Sequence, residues 1–350
     1  MQADIARSKP GDIFLLFHEL PYDFSQDLPI SVGPGVCVDT TPQTILSSAE
    51  KGLPDYVLPG YSLSGTGINN CCLRCYSIFK LTESLSTENL LFLALLSMRL
   101  HNPFAIQIAG QLRVGPDDNQ ISDPKLYELS SPWAISGYYK PSDFIAVEKI
   151  VERLIEADKK GFTRLVTSLL FFSHVTLGQV ASYQLATLGL FTSLEALFVP
   201  NGNKAITISD RIASFLSNFE FPIENIGEWI KNEYINLRHK LAHGIHDATF
   251  GMKPRSEKHQ EFGMLHEICR LSLLGFLSLD DAVVKNMSEV NGKELQRTLE
   301  ALRPVAGSLL NEYKFMARYR DRDAPHRAPL PHHRTYGSVS GDSAGQSRHK

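Results

Sequence analysis

Several things are scarce in this 350-residue chain, and each scarcity excludes something. Five cysteines (Cys37, Cys71, Cys72, Cys75 and Cys269) make an odd count for a disulfide framework, and the leading Met1-Gln-Ala-Asp-Ile-Ala-Arg7 has no apolar core of the kind that directs secretion. A reducing cytoplasm is the expected compartment. Positive charge is not in surplus either: 35 Lys and Arg against 38 Asp and Glu give a formal net charge of -3. Phosphate affinity scales with the number of basic contacts, so a surface coated for non-specific DNA binding is excluded and any nucleic-acid site must be a local patch. No internal repeat marks a solenoid.

The most conspicuous absence is of charge between Leu165 and Leu194, where no Asp, Glu, Lys or Arg occurs. The stretch is long enough to cross a bilayer. Yet Ser168, Ser173, His174, Gln179, Ser182, Gln184, Thr187 and Thr192 recur along it, and each would need a partner in lipid. No membrane span is expected; two buried helices joined near Gly178 are.

What is present is the composition of a soluble globular protein, 43% hydrophobic and 21% charged, with length for two domains. Residues 1–140 carry short apolar runs between Pro and Gly, at Ile13–Phe17, Ile30–Val32, Val36–Val38 and Phe104–Ile108, which read as strands. Helices are expected at Thr44–Glu50, behind Pro42 in a first turn, and at Thr87–Leu100. This half reads as α+β. From Ser142 the texture changes to helical periods: Phe144–Ile155, the neutral stretch to Phe198, Asp210–Leu216, Ile223–His243, Met264–Val284, and Gly292–Tyr319 with Pro304 expected to kink or split it. The fold class is thus an α+β N-terminal half followed by an all-α helix bundle over 141–319. Residues 320–350, with Arg320, Arg322, Arg327, Arg334 and Arg348 among Pro, Gly and Ser, lack core positions and read as a disordered basic tail.

Within the bundle, Tyr234-Ile-Asn-Leu-Arg-His-Lys-Leu-Ala-His-Gly244 gathers Arg238, His239, Lys240 and His243 just before a glycine stop. A permanently charged guanidinium beside imidazoles that titrate near neutrality suits holding a phosphate and moving a proton next to it. On an α-helix, Ile226, Trp229, Ile230, Tyr234, Leu237 and Leu241 form one core-facing stripe. Measured from Ile230, Arg238 falls roughly 80° to the side and His239 and His243 roughly 140° to 180° away.

Two other uses of these residues stand beside the chemical one. Basic side chains in a last turn complement the helix dipole and bond the free carbonyls. Alternatively His239 and His243, at i and i+4, offer two metal ligands, with His246 beyond the glycine; no Glu lies between them as in a His-Glu-x-x-His protease, so the set is incomplete. Cys72-Leu-Arg-Cys75 lacks a second pair and reads as free thiols. Glu195 is the only Asp, Glu, Lys or Arg between Arg164 and Lys204. Set among Leu188, Phe191, Leu194 and Phe198, it demands a cationic or hydrogen-bonding partner: Arg238 or a motif histidine on one reading, Arg211 on another.

Arg238-His239-x-x-x-His243 resembles the Arg-polar-(x)n-His motif of HEPN domains, and Leu237–Gly244 looks most like the Apea-like branch of that superfamily. Two further elements agree in order: Ser193-Leu-Glu-Ala-Leu-Phe198 upstream, and Ser209-Asp-Arg-Ile-Ala-Ser-Phe-Leu216 after it. The resemblance covers about Asp143 to Tyr319. It implies a helical bundle that dimerises and, in active members, metal-independent RNA cleavage without a cofactor, often in a toxin or antiviral defence role. Carried onto this chain, His243 would exchange the proton, Arg238 would bind the phosphate, His239 would take the orienting polar position, Lys240 would contact substrate, and Glu195 and Tyr234 would support the pair. The expected partners are RNA and a second copy, with a further protein partner open for the N-terminal half. The same resemblance also allows a non-catalytic dimerisation or nucleotide-sensing module.

Overall fold

A computed structural model describes residues 11–19, 28–40, 71–75, 85–101, 107–115, 121–126, 139, 141–177, 183–199, 205–218, 225–243, 255–289 and 292–302. The first part is a six-stranded antiparallel sheet in the order β2-β3-β4-β1-β5-β6, built from β1 (Ile13–Glu19), β2 (Ile30–Gly33), β3 (Val36–Thr40), β4 (Cys71–Cys75), β5 (Gln107–Val114) and β6 (Ile121–Leu126). Central β1 pairs Ile13 with Cys75 on one side and with Arg113 on the other. The strands expected at Ile13, Ile30 and Val36 are present. β4 and β6 were not expected, because Cys-Cys-Leu-Arg-Cys and Ile-Ser-Asp-Pro-Lys-Leu are interrupted by charged residues and neither is an unbroken apolar run. The Cys72 and Cys75 pair therefore lies on a sheet strand. Of the expected Phe104–Ile108 strand only Gln107 and Ile108 fall in described residues, and the expected helix at Thr44–Glu50 lies outside them.

Period-2 alternation puts Ile13, Leu15, Val36 and Val38 on one face, where they meet α1 (Thr87–His101) and α2 (Pro141–Lys159) through Leu90, Leu91, Met98, Phe144, Val147 and Val151. β2 and α2 approach so closely at Gly33 that a Cβ there would lie 2.8 Å from Val151 Cγ1. On β4, Arg74 pairs with Asp12 at 2.8 Å and Asp39 at 3.1 Å, its guanidinium 5.3 Å from the Phe14 ring centroid.

Helices follow without further strands among the described residues: α3 (Thr163–Thr176), α4 (Tyr183–Phe198), α5 (Ala205–Ser217), α6 (Ile226–Glu233), a π turn (Tyr234–His239), α7 (Lys240–Ala242), α8 (Arg255–Leu277), α9 (Asp281–Glu289) and α10 (Gly292–Ala301). Their shared core runs from Phe172 and Phe191 through Phe198, Phe215 and Phe276 to Leu295. α1 and α2 belong to both cores: Leu96, Leu100, Ile150 and Leu154 face the bundle, while Leu90, Met98, Val147 and Val151 face the sheet.

The charge-free stretch is indeed two helices, α3 and α4, and among the described residues no helix is long and apolar enough to cross a membrane. Several of its polar side chains bond internally. Ser168 and Ser193 hydroxyls lie 2.7 Å apart, Ser193 donates to the Ser168 carbonyl, and Cys269 of α8 donates to Ser193 at 3.1 Å. Thr192 donates to Leu188 O and Ser173 to Leu170 O.

The single helical period expected over Met264–Val284 is broken in two. The Ser278 and Leu279 amides bond back to Leu274, Gly275 and Phe276, ending α8, while Asp280 O accepts from Val283 and Val284 to begin α9. Arg153 of α2 holds the break, donating to Leu277 O at 3.0 Å, Leu279 O at 2.8 Å and Asp281 Oδ1 at 2.5 Å. The hydrogen bond from Lys160, with those from Arg153, holds the Asp281 carboxyl below the usual carboxylate range. α10 ends at Ala301; the expected continuation past Pro304 and the basic tail lie outside the described residues.

Candidate functional site

The Arg/His segment begins in α6 and runs through the π turn into α7. Asn225, in the left-handed conformation at φ 58°, starts α6, and Ile226, Ile230 and Tyr234 recur at i, i+4 and i+8 to bury one stripe as expected. At Tyr234 the helix leaves the α register for the π turn, which extends through His239. A π turn closes i→i+5 bonds, so it admits one more residue than an α turn. Every later residue is therefore set back by roughly 100° relative to an unbroken α-helix.

That step corrects the expected placement of Arg238. An α-helix puts it roughly 80° from the core line; set back by one residue it lies roughly 20° from it and turns inward. Leu237 and Leu241, expected on the buried stripe, are left half-buried.

Inward, Arg238 meets Glu195 of α4. Nε donates to Oε1 at 2.8 Å and Nη2 to Oε2 at 3.2 Å, a two-pronged pair. The Tyr234 hydroxyl donates to the same Oε1 at 2.5 Å, and the guanidinium sits 5.2 Å from the Tyr234 ring centroid. Phe191 packs edge-on against Tyr234 at 5.5 Å. Side-chain exposure is only 13% for Glu195 and 20% for Arg238, so the carboxylate has its cation in a largely dry setting. Burial pushes the Tyr234 phenol well above its ordinary pKa, reinforced by its hydrogen bond to Glu195, so it stays a donor. The partner of Glu195, open between Arg238 and Arg211 from sequence, is Arg238; Arg211 instead donates to Phe198 O.

His239, Lys240 and His243 are exposed. The two imidazoles lie 4.3 Å apart between centroids, and the His243 amide donates to His239 O at 3.1 Å, so an ordinary α turn spaces them. Arg238 and His243 lie five positions apart, roughly 140° around a helix, so one chain presents them toward different sides. Exposed apolar residues of the bundle include Leu170 and Phe171 on α3, Leu185 on α4, and, within the motif segment itself, Ile235 in the π turn at 47%. Beside the π turn, Tyr183, Phe191, Trp229, Glu233, Leu237 and Phe262 line a shallow depression that encloses no water-sized space. Among the described residues no group of three or more His, Cys, Asp or Glu is placed to hold a metal ion.

A second polar cluster had no sequence signal. Arg270 and Glu267 of α8, both buried, pair with each other, and Arg270 Nη1 donates to Leu100 O at 2.6 Å and to His101 O at 3.3 Å, closing the C-terminus of α1 from another helix. His101 Nε2 reaches Asp143 at 3.2 Å, and Tyr139 donates to Met98 O. Next to them the His266 imidazole bonds Thr176 at 3.1 Å; burial, with Arg270 and Arg99 nearby, lowers its pKa to about 3, so it is neutral. Apolar periodicity marks such positions only as helix, because the partners are supplied by other helices.

No family model matches the chain, and no curated protein or solved structure matches it.

Proposed function

We propose that the chain is a HEPN-type protein of the Apea-like branch acting as a metal-independent RNA endonuclease, with a composite Arg/His site formed by two copies, in a toxin or defence role. The observation that carries this reading is the contact between Glu195 and Arg238. Two segments on which the resemblance rests, 43 residues apart in sequence, meet through it, with the motif histidines exposed one turn further on. Ile235, exposed within the motif segment, supports a second copy covering this side.

In this reading the ribose 2′-oxygen attacks phosphorus and the bond to the 5′-oxygen breaks, leaving a 2′,3′-cyclic phosphate and a 5′-hydroxyl. His243 takes the proton from the 2′-hydroxyl or delivers one to the 5′-oxygen. Arg238 meets the charge that builds on the phosphoryl oxygens, His239 orients the pair, and Lys240 contacts the RNA backbone. Acid–base action of this kind contributes about 10² to 10⁴ in rate. The purified protein is expected to cut RNA in EDTA and leave cyclic phosphate ends. Arg238→Ala and His243→Ala should each abolish cutting while circular dichroism shows a folded chain; cutting that survives both substitutions overturns the mechanism.

A second reading has its own support: two donor groups of Arg238 are already committed to Glu195, which suits a cation that stabilises the bundle or a dimer. In that non-catalytic module the same substitutions lower the melting temperature or the oligomer mass, and no RNA is cut.

A further inference from the structure

The chain encodes two competing registers for the end of this helix. An uninterrupted α-helix carries Leu237 and Leu241 to within roughly 20° of the line of Ile230 and turns Arg238 roughly 80° to the side, away from Glu195. The π turn does the reverse, leaving both leucines half-buried and bringing Arg238 onto Glu195. The apolar stripe favours the first register. A carboxylate that is the only Asp, Glu, Lys or Arg from Leu165 to Asn203, set on the buried side of α4, favours the second, because losing Arg238 leaves it largely dry beside the Tyr234 hydroxyl.

We propose that Glu195 selects between these registers: it holds the segment in the π turn with Arg238 turned inward, and loss of that carboxylate returns the segment to an α-helix with Arg238 on its solvent-accessible flank. Glu195 is then a guard on the guanidinium. A phosphodiester presents the same pair of acceptor oxygens to a guanidinium as a carboxylate does, so phosphate is the chemical class that replaces Glu195 when Arg238 turns out. This consequence rests on the ribonuclease reading; the register itself does not.

The test runs without RNA. Phenylglyoxal labelling of Arg238 is followed by mass spectrometry in wild type, in Glu195→Leu and, should that variant fold poorly, in Glu195→Gln. Arg238 should label several-fold faster once the carboxylate is gone; equal labelling overturns the proposal. Deletion of the exposed Asn236 gives an independent arm. Removing one residue from a π turn closes it to an α turn without rotating the residues C-terminal to it, so Arg238 should stay protected and the melting temperature should not fall. If the deletion instead exposes Arg238, the segment was α-helical and the proposal fails. A protein that cuts no RNA yields the same labelling pattern, so failure of the ribonuclease reading and failure of the register are told apart.

Discussion

Glu195 and Arg238 make one unit with Tyr234, and their energies should not add. Arg238→Ala leaves a largely buried carboxylate with one phenol for company, which is expected to cost about 1 to 3 kcal/mol of stability. Once Glu195 is already Gln, the same substitution should cost less. A double-mutant cycle by urea denaturation reads that difference, and strict additivity would contradict the pairing. His266 makes a different statement at the same scale. Its folded pKa, lowered to about 3 by burial, lies below the unfolded value near 6.5. Its contribution is therefore present above pH 6.5 and lost as pH falls toward 3, because only the unfolded chain takes up the proton. Stability should drop by about 1.4 kcal/mol per pH unit in that window from this group, and His266→Gln should flatten that part of the profile.

Among the elements, α3 and α4 show why a stretch without charge is not a membrane span. They pair so closely at Gly189 that a Cβ there would lie 2.8 Å from Val175 Cγ2. Gly189→Ala is expected to destabilise the fold by about 1 to 3 kcal/mol, with part of the loss recovered in the Gly189→Ala/Val175→Ala double variant. Chemical denaturation of the two variants checks both halves. The α8–α9 break and the π turn share a cause that periodicity does not report. In each, a side chain from another helix (Arg153 at the break, Glu195 at the turn) bonds the place where the regular pattern stops.

Taken whole, the molecule has two cores stitched by α1 and α2, each helix facing the sheet on one side and the bundle on the other. A chain beginning at residue 141 would lack α1 and with it Leu96, Leu100 and the carbonyls that Arg270 bonds. It is expected to unfold without a cooperative thermal transition, whereas a chain beginning at residue 85 should retain one. The buried Glu267–Arg270 pair makes the difference sharper, since α1 supplies the acceptors that complete it.

By itself the sequence determined the elements whose signal is local. Short apolar runs between turn residues marked β1 to β3, helical periodicity marked α1 to α5, and the Tyr234–Gly244 segment stood out because Arg238, His239 and His243 gather within one and a half turns just before Gly244. It also determined that Glu195 needs a partner, since a lone carboxylate among leucines and phenylalanines does so wherever it folds. Only the tertiary structure decided which partner, and in doing so moved the register. Propensity along α6 is indifferent to one extra residue in a turn, but a carboxylate fixed on a neighbouring helix is not, and its demand for Arg238 overrides the apolar stripe. The direction of a side chain at a helix end is set by what waits across the interface.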